Sequence, residues 1–159
     1  MPSPRCICAA GTLRRATRSI ARLYDRRLAE VGLTTTQLSI LRSLDREKGS
    51  VPLSVLADEQ VLERTSLYRA LEPLRRQKLI IISAGRGRGK SVTLTRLGAK
   101  RVVAAGPYWK DAQAAFLAQF GGSAWTDLAV RLVGVVDAAK AISSGWSKPG
   151  HERRRRSPR

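Results

Sequence analysis

The 159-residue sequence predicts a mainly helical chain with a small β element, which is the α+β class. Three observations support this prediction. Apolar residues recur with a helical period through most of the chain. Residues 79–82 and 92–94 are short β-type runs on either side of the glycine-rich stretch 85–89. No apolar run approaches the roughly 20 residues that a membrane span needs, so the helices are expected to pack around a core.

The chain carries a large excess of basic residues. Lys and Arg number 30 against 12 Asp and Glu, which gives a formal net charge of +18. Residues 145–159 contain six basic residues and one glutamate, and we expect them to form a disordered basic tail that is either simply solvated or adds non-specific affinity for DNA. The remaining excess lies in the folded part and indicates a polyanionic partner.

The sequence argues against an enzyme and against a metal site. His151, in the predicted tail, is the only histidine, and no nucleophile lies at a recognisable spacing from a base. One histidine and two cysteines are too few for a four-ligand metal site. We therefore expect no cofactor and no metal. The N-terminal apolar stretch is too short for a signal peptide, so we expect a cytoplasmic protein that does not contact a membrane.

Two amphipathic helices are predicted first. Residues 13–31 place apolar side chains at helical spacing between arginines, and Gly32 is expected to end this helix. Thr34 and Gln37 have the spacing of a capping box. The helix that follows carries Leu38, Leu41 and Leu44 on its inner face.

Residues 55–76 predict a helix-turn-helix, with a turn at residues 61–63. Leu67, Leu71 and Leu74 give the second helix a single buried stripe. Its other positions are basic or rich in hydrogen-bond donors, which suits contact with phosphates and base edges. These candidate DNA-binding residues are Arg64, Thr65, Ser66, Tyr68, Arg69, Arg75 and Arg76.

The stretch from Ala84 to Ser91 lies one residue from a phosphate-binding loop pattern, with alanine in place of the first glycine. Such a loop must be followed by a helix, but residues 92–94 predict a strand. We therefore interpret the two runs as a two-stranded wing. Arg86, Arg88 and Lys90 would carry its positive charge, and an arginine would reach into a narrow minor groove.

The C-terminal part predicts two further helices. Thr95 is expected to cap a helix from Arg96, with Leu97 and Phe120 among its buried positions, and Ser123 is expected to cap the last helix. That helix has an apolar seam at Trp125, Leu128, Leu132, Val135, Ala139 and Ile142. Three long apolar stripes exceed what a small winged module can cover, so we predict a homodimer; a bundle within one chain is the alternative.

The predicted organisation is therefore a winged helix-turn-helix. Residues 1–32 form an N-terminal dimerisation helix, 33–95 the DNA-binding domain, 96–144 the C-terminal dimerisation helices and 145–159 the tail. The ordered set Gly32-Leu33-Thr34-x-x-Gln37, Leu56-Ala57, Arg64 to Arg69 with Leu71 and Leu74, and Leu94-Thr95-x-x-Gly98 resembles the MarR family of regulators, over about residues 12–142.

The resemblance implies a homodimeric repressor or activator that binds a palindromic operator in double-stranded DNA. By position, Thr65, Ser66, Tyr68 and Arg69 match the groove-facing residues of the recognition helix, and Arg88 matches the wing arginine. The chain departs from the family at Arg86, where an acidic residue usually orients that arginine.

The resemblance also implies release by a small-molecule effector or by an oxidant. Tyr24, Tyr108 and Trp109 are possible pocket residues, although core packing is the alternative for Trp109. Cys6 and Cys8 are possible redox sensors, and ordinary thiols are the alternative. The competing function is a non-specific architectural nucleic-acid-binding protein, which the net charge would also suit.

Overall fold

Six α-helices and one small antiparallel sheet make up the computed structural model, which describes residues 8–85 and 89–145. The mainly helical prediction is confirmed. The elements are α1 Ala9–Leu28, a 3-10 turn Ala29–Val31, α2 Thr35–Glu47, β1 Ser50–Pro52, α3 Leu53–Gln60, α4 Arg64–Arg76, β2 Ile80–Ala84, β3 Lys90–Leu94, α5 Arg96–Phe120 and α6 Gly122–Gly145. The chain divides into two compact units between Ala115 and Phe116.

The junction between α1 and α2 follows the sequence prediction. Gly32 has φ 65, a left-handed conformation that glycine adopts without steric cost, and it ends the 3-10 turn after α1. Thr34 and Gln37 form the predicted capping box, with the Gln37 backbone N–H donating to Thr34 Oγ1 at 3.3 Å and the Thr34 N–H donating to Gln37 Oε1 at 2.9 Å. Asp25 of α1 also accepts bonds of 2.6 Å from the Thr35 N–H and hydroxyl. The start of α2 is thus bonded to α1.

The core of the first unit is built mainly from leucines. Leucines of α1, α2, α3 and α4 are fully buried together with Val92 of β3. The stripe predicted for α4 is confirmed, because Leu67, Leu71 and Leu74 each have no exposed surface. This burial fixes which face of α4 points to solvent. The fully buried leucines are Leu28, Leu41, Leu44, Leu56, Leu67, Leu71, Leu74 and Leu79.

The sheet has three strands, where the sequence predicts a two-stranded wing. The order is β1-β3-β2, and both pairings are antiparallel. β1 places the buried Val51 opposite Val92, which Ile82 faces from the other side. Three residues ending in proline carry too short a pattern to indicate a strand, so β1 becomes apparent only through its pairing with β3.

The start of α5 is bonded to Leu79, the residue just before β2. Thr95 caps α5 as predicted, since its Oγ1 accepts from the Gly98 N–H at 3.0 Å, and its own N–H donates to the Leu79 carbonyl at 3.0 Å. A Cβ on Gly98 would lie 2.2 Å from that carbonyl oxygen. Residue 98 is therefore a glycine because the backbones approach too closely for any side chain.

Leu97 and Phe120, which are expected to be buried, are 46% and 44% exposed within the single chain, and the buried residues of α5 are Gly98, Ala105 and Ala112. The expectation for the cap of α6 is wrong. Ser123 does not cap α6, which begins at Gly122 after Gly121 turns the chain with φ 96. The α6 helix has no buried residue. None of the described helices is long and apolar enough to span a membrane.

Candidate nucleic-acid interface

The turn between α3 and α4 positions the candidate recognition helix. Val61 ends α3 in the left-handed conformation, with φ 51 and ψ 44, and the Leu62 N–H donates to the Ala57 carbonyl at 2.9 Å. The chain then enters α4 at Arg64, as the sequence predicts. No side chain caps α4, so its first-turn N–H groups have no side-chain partner and the positive end of the helix dipole faces outward.

The exposed face of α4 carries the predicted DNA-binding residues. At 100° per residue, Thr65, Arg69 and Arg76 lie opposite the leucine stripe. Arg64 and Ser66 are also exposed, and Tyr68 is half-buried. The ammonium of Lys90 in β3 lies 5.8 Å from the centre of the Tyr68 ring, which brings the sheet next to α4. Five exposed donor side chains and the Tyr68 phenol, which lies beside the Lys90 ammonium, are therefore found on the side of α4 that the leucines leave free.

Glu72 holds the arginines at the C-terminal end of α4. Its carboxylate accepts from Arg75 Nη2 at 2.9 Å and from Arg76 Nε at 3.0 Å. The hydrogen bonds from Arg75 and Arg76 lower the pKa of Glu72 to about 2, and the Glu72 carboxylate raises the pKa of Arg75. Both guanidinium groups are therefore directed to Glu72 in this structure.

The hairpin between β2 and β3 has the geometry of a wing and not of a phosphate-binding loop. The Gly85 N–H donates to the Gly89 carbonyl at 2.9 Å, which closes the base of the turn. The chain continues from the loop into β3, with no helix N-terminus there to bind a phosphate. Arg86 and Arg88 lie outside the described residues.

Of the three predicted pocket residues, Trp109 lines a cleft, whereas Tyr24 and Tyr108 belong to or pack against the core. Tyr24 is buried, donates to Gln113 Oε1, and has its pKa raised by that burial. Tyr108 is half-buried against the core. Trp109 lies on a cleft of about 560 Å³ between α2, α3 and α5, and the Arg42 guanidinium stands 4.4 Å from the centre of its ring. The other lining residues are Thr35, Leu38, Ser39, Ser43, Arg46, Glu59 and Gln60.

A chain of polar contacts forms one wall of this cleft and joins α2 to α3. Ser39 Oγ donates to Gln60 Oε1, Gln60 Nε2 donates to Ser43 Oγ, and Ser43 Oγ donates to Glu59 Oε1, each at 2.9 Å. Arg46 forms an ion pair with Glu59. The sequence prediction missed this set. Its signal is a polar sector on α2, opposite the leucines, which a helical wheel displays but does not assign to a cleft.

The remaining candidates are the cysteines. Cys8 is exposed and lies just before α1, while Cys6 is outside the described residues. Within residues 8–85 and 89–145, no three His, Cys, Asp or Glu side chains group together as metal ligands would.

Known proteins match this chain through their solved structures. A scan against protein-family models finds no match, and a search of curated proteins finds none. The Mycobacterium tuberculosis transcriptional regulator MosR, solved in complex with DNA, is 36% identical, and the alignment covers 85% of this chain and 98% of that chain with a TM-score of 0.76.

Two more distant structures share the fold. A mutant of Escherichia coli MarR complexed with operator DNA is 17% identical, with 81% of this chain and 94% of that chain covered and a TM-score of 0.71. Bordetella bronchiseptica BpsR is 20% identical, with 86% and 99% covered and a TM-score of 0.72. These neighbours are transcriptional regulators and not enzymes, in agreement with the sequence prediction. At 36% identity over nearly the whole of MosR, the chain belongs to the MarR family of winged helix transcriptional regulators.

Proposed function

We propose that this protein is a homodimeric, sequence-specific DNA-binding regulator that inserts α4 into the major groove and its β2–β3 hairpin into the minor groove. One observation carries the proposal: three fully buried leucines fix α4 so that its donor-rich face points to solvent. The likeness to MosR, which was solved with DNA, supports it.

The candidate DNA-binding residues of α4 and the hairpin divide into two roles. Thr65, Ser66, Tyr68 and Arg69 read base edges or adjacent phosphates, because they lie on the N-terminal half that enters a groove. Phosphate contacts and contacts in the minor groove come from basic residues, which add affinity without base preference. This second group is Arg64, Arg75, Arg76, Arg86, Arg88 and Lys90.

The exposed apolar residues of α6 support the homodimer. Its apolar side chains are largely exposed in the single chain, so a second copy is the simplest cover for them. Residues 1–32 and 96–144 would supply that contact, and residues 33–95 the DNA-binding part. Two copies of α4 related by a two-fold axis fit a palindromic operator. We expect the protein to act in the cytoplasm.

The test compares two arginines on one helix. Operator sequences are first selected from random DNA, and a specific regulator should prefer its site by about 1,000-fold or more. Arg69→Ala should lower the ratio of operator to random affinity by about 10- to 100-fold, the value of one good base contact. Arg75→Ala, the matched control, should leave that ratio unchanged and make the salt dependence shallower.

A parent protein with no sequence preference would support the architectural alternative. An equal loss of selectivity in both arginine variants would overturn the assignment of Arg69.

We further propose that the protein is a repressor released by a small aromatic anion bound in the Trp109 cleft. Such a ligand would stack on the indole and pair with Arg42, whose burial lowers its pKa and leaves its charge poorly hydrated. BpsR, whose DNA binding is regulated by 6-hydroxynicotinic acid, supports this class of ligand. Arg42→Ala should bind operator normally but resist release by aromatic carboxylates; unchanged release would contradict the cleft assignment.

An oxidant acting on Cys6 and Cys8 is the other candidate signal, favoured by the exposure of Cys8. Retained DNA binding after mild peroxide treatment would eliminate it.

A further inference from the structure

A line of arginines runs along the solvent face of α1 and belongs to none of the sites above. Its members are exposed and fall within a sector of about 120° on the helix, over a length of about 18 Å. We call this group the arginine stripe; it consists of Arg14, Arg15, Arg18, Arg22 and Arg26.

The stripe has no anionic partner in the part of the chain that the structure describes. The ion pairs found there join Arg46 to Glu59 and Arg75 and Arg76 to Glu72. Asp25, the one acidic residue of α1, lies in the same sector, but its carboxylate is bonded to the start of α2. Arginines four residues apart repel one another, so the folded chain bears an unfavourable interaction along this face.

A second copy of the chain would not neutralise the stripe. The helices expected to meet α1 in the dimer, α5 and α6, carry six basic residues against three aspartates. An anionic membrane is also a poor fit, because a helix that lies in a membrane needs apolar residues next to its basic ones. The apolar residues Tyr24 and Leu28 are buried in the core, and the stripe sector contains none.

We infer that the arginine stripe binds the phosphate backbone of duplex DNA, outside the base pairs that α4 contacts and without regard to sequence. The choice of DNA as the anion rests on the proposed function. Duplex DNA carries one negative charge per 1.7 Å of axis, so a segment as long as the stripe offers more phosphates than the stripe has arginines.

The experiment measures binding of the full chain to a random-sequence duplex of about 30 base pairs over a range of salt concentrations. Arg14→Gln/Arg18→Gln/Arg22→Gln should make the slope of log K against log salt shallower by about 0.9 per lost phosphate contact, or up to about 2.7. The matched control Lys110→Gln/Arg131→Gln/Lys140→Gln removes the same charge from exposed positions on α5 and α6. It should change the slope by less than one.

Equal slopes for the stripe variant and the parent, or equal losses in variant and control, would overturn the inference. So would a loss of the dimer in sedimentation, which would make the stripe a protein interface. Weaker binding of the variant to phosphatidylglycerol vesicles or single-stranded RNA, with duplex binding intact, would assign the stripe to another partner.

Glutamine is a good helix former and the substitutions relieve repulsion, so the variant should melt at or above the parent temperature. If it does not fold, each single arginine variant should still lower the slope by about 0.9. Binding to random DNA does not measure the sequence selectivity that is assigned to Arg69. The inference about the arginine stripe can therefore be wrong while the Arg69 assignment is right, and the Arg69 assignment can be wrong while the inference is right.

Discussion

Val61 occupies a backbone conformation that is unusual for its side chain. Branching at Cβ makes the left-handed region costly, by about 1–2 kcal/mol relative to glycine, yet Val61 adopts φ 51 at the turn into α4. The side chain is 60% exposed, so little burial offsets that cost. The strain is maintained by the packing of α3 and α4 on either side.

Replacing Val61 with glycine should therefore stabilise the protein. The relieved strain exceeds the extra backbone entropy of glycine in the unfolded chain, so we expect a gain of up to about 1 kcal/mol in the free energy of unfolding. Val55→Gly is the control, because Val55 is 53% exposed and lies inside α3. That change should destabilise the protein by a few tenths of a kcal/mol. Urea denaturation of both variants checks this, and a loss at position 61 would refute it.

Left-handed residues also mark the limit of sequence reasoning at this scale. Gly32 is predictable, because glycine at the end of an amphipathic stripe is a common helix stop. Val61, Lys48 and Lys78 adopt positive φ without being glycine. Local propensity opposes these conformations, and only the packing of neighbouring elements selects them.

Among the elements, α4 has buried and exposed faces that the sequence predicts. The contact of Glu72 with two arginines of the same helix is not predicted. The leucine spacing fixes its buried side, and the polar face follows as the remainder. The contact of Glu72 with both Arg75 and Arg76 depends on side-chain geometry at spacings of three and four, where several pairings are open to the same residues. The sequence identifies the two arginines as DNA-binding candidates. It does not show that the Glu72 carboxylate would compete with DNA phosphates for them.

Glu72 gives α4 a distinct pH response. Because its folded pKa is depressed to about 2, its pairing stabilises the protein above the ordinary glutamate pKa near 4.5 and is lost as pH falls from there towards 2. The contribution is small, since the pair is exposed. A carboxyl titration by NMR should show a midpoint well below that of other glutamates, and a midpoint near 4.5 would contradict the pairing.

Removing this carboxylate should also strengthen DNA binding. Glu72→Gln releases Arg75 and Arg76 towards phosphates, so affinity should rise on operator and random DNA alike, with a steeper salt slope. Glu47→Gln is the charge-matched control, from the exposed end of α2. Equal gains in the two variants would show a general charge effect in place of the restraint.

For the molecule as a whole, α6 provides the test of assembly. Its seam, which includes Leu128, Leu132 and Val135, is one candidate face for the second copy, but Val130 on the opposite side is 70% exposed. A charge on the seam should break the proposed dimer, because it would be buried without a partner. Val135→Glu should therefore sediment as a monomer and lose most operator affinity, while Val130→Glu should remain dimeric. The reverse result would place the contact on the other face.

At this scale the fold was predictable and the cleft was not. Helical periods, one capping box and two β-type runs suffice for a winged helix-turn-helix, because each is a local pattern. The cleft of Arg42 and Trp109 joins residues 67 positions apart through tertiary packing, which no local pattern encodes. Tyr24 illustrates the converse, since the family resemblance suggested it as a pocket residue but its hydroxyl donates a hydrogen bond to Gln113.

The close approach at Gly98 has a mechanical consequence. The Leu79 carbonyl both accepts from Thr95 and occupies the space where a side chain at position 98 would stand. The first turn of α5 is therefore held against the residue that precedes β2, by a hydrogen bond and by a close backbone contact. We expect a tilt of α5 to displace the start of β2 with it.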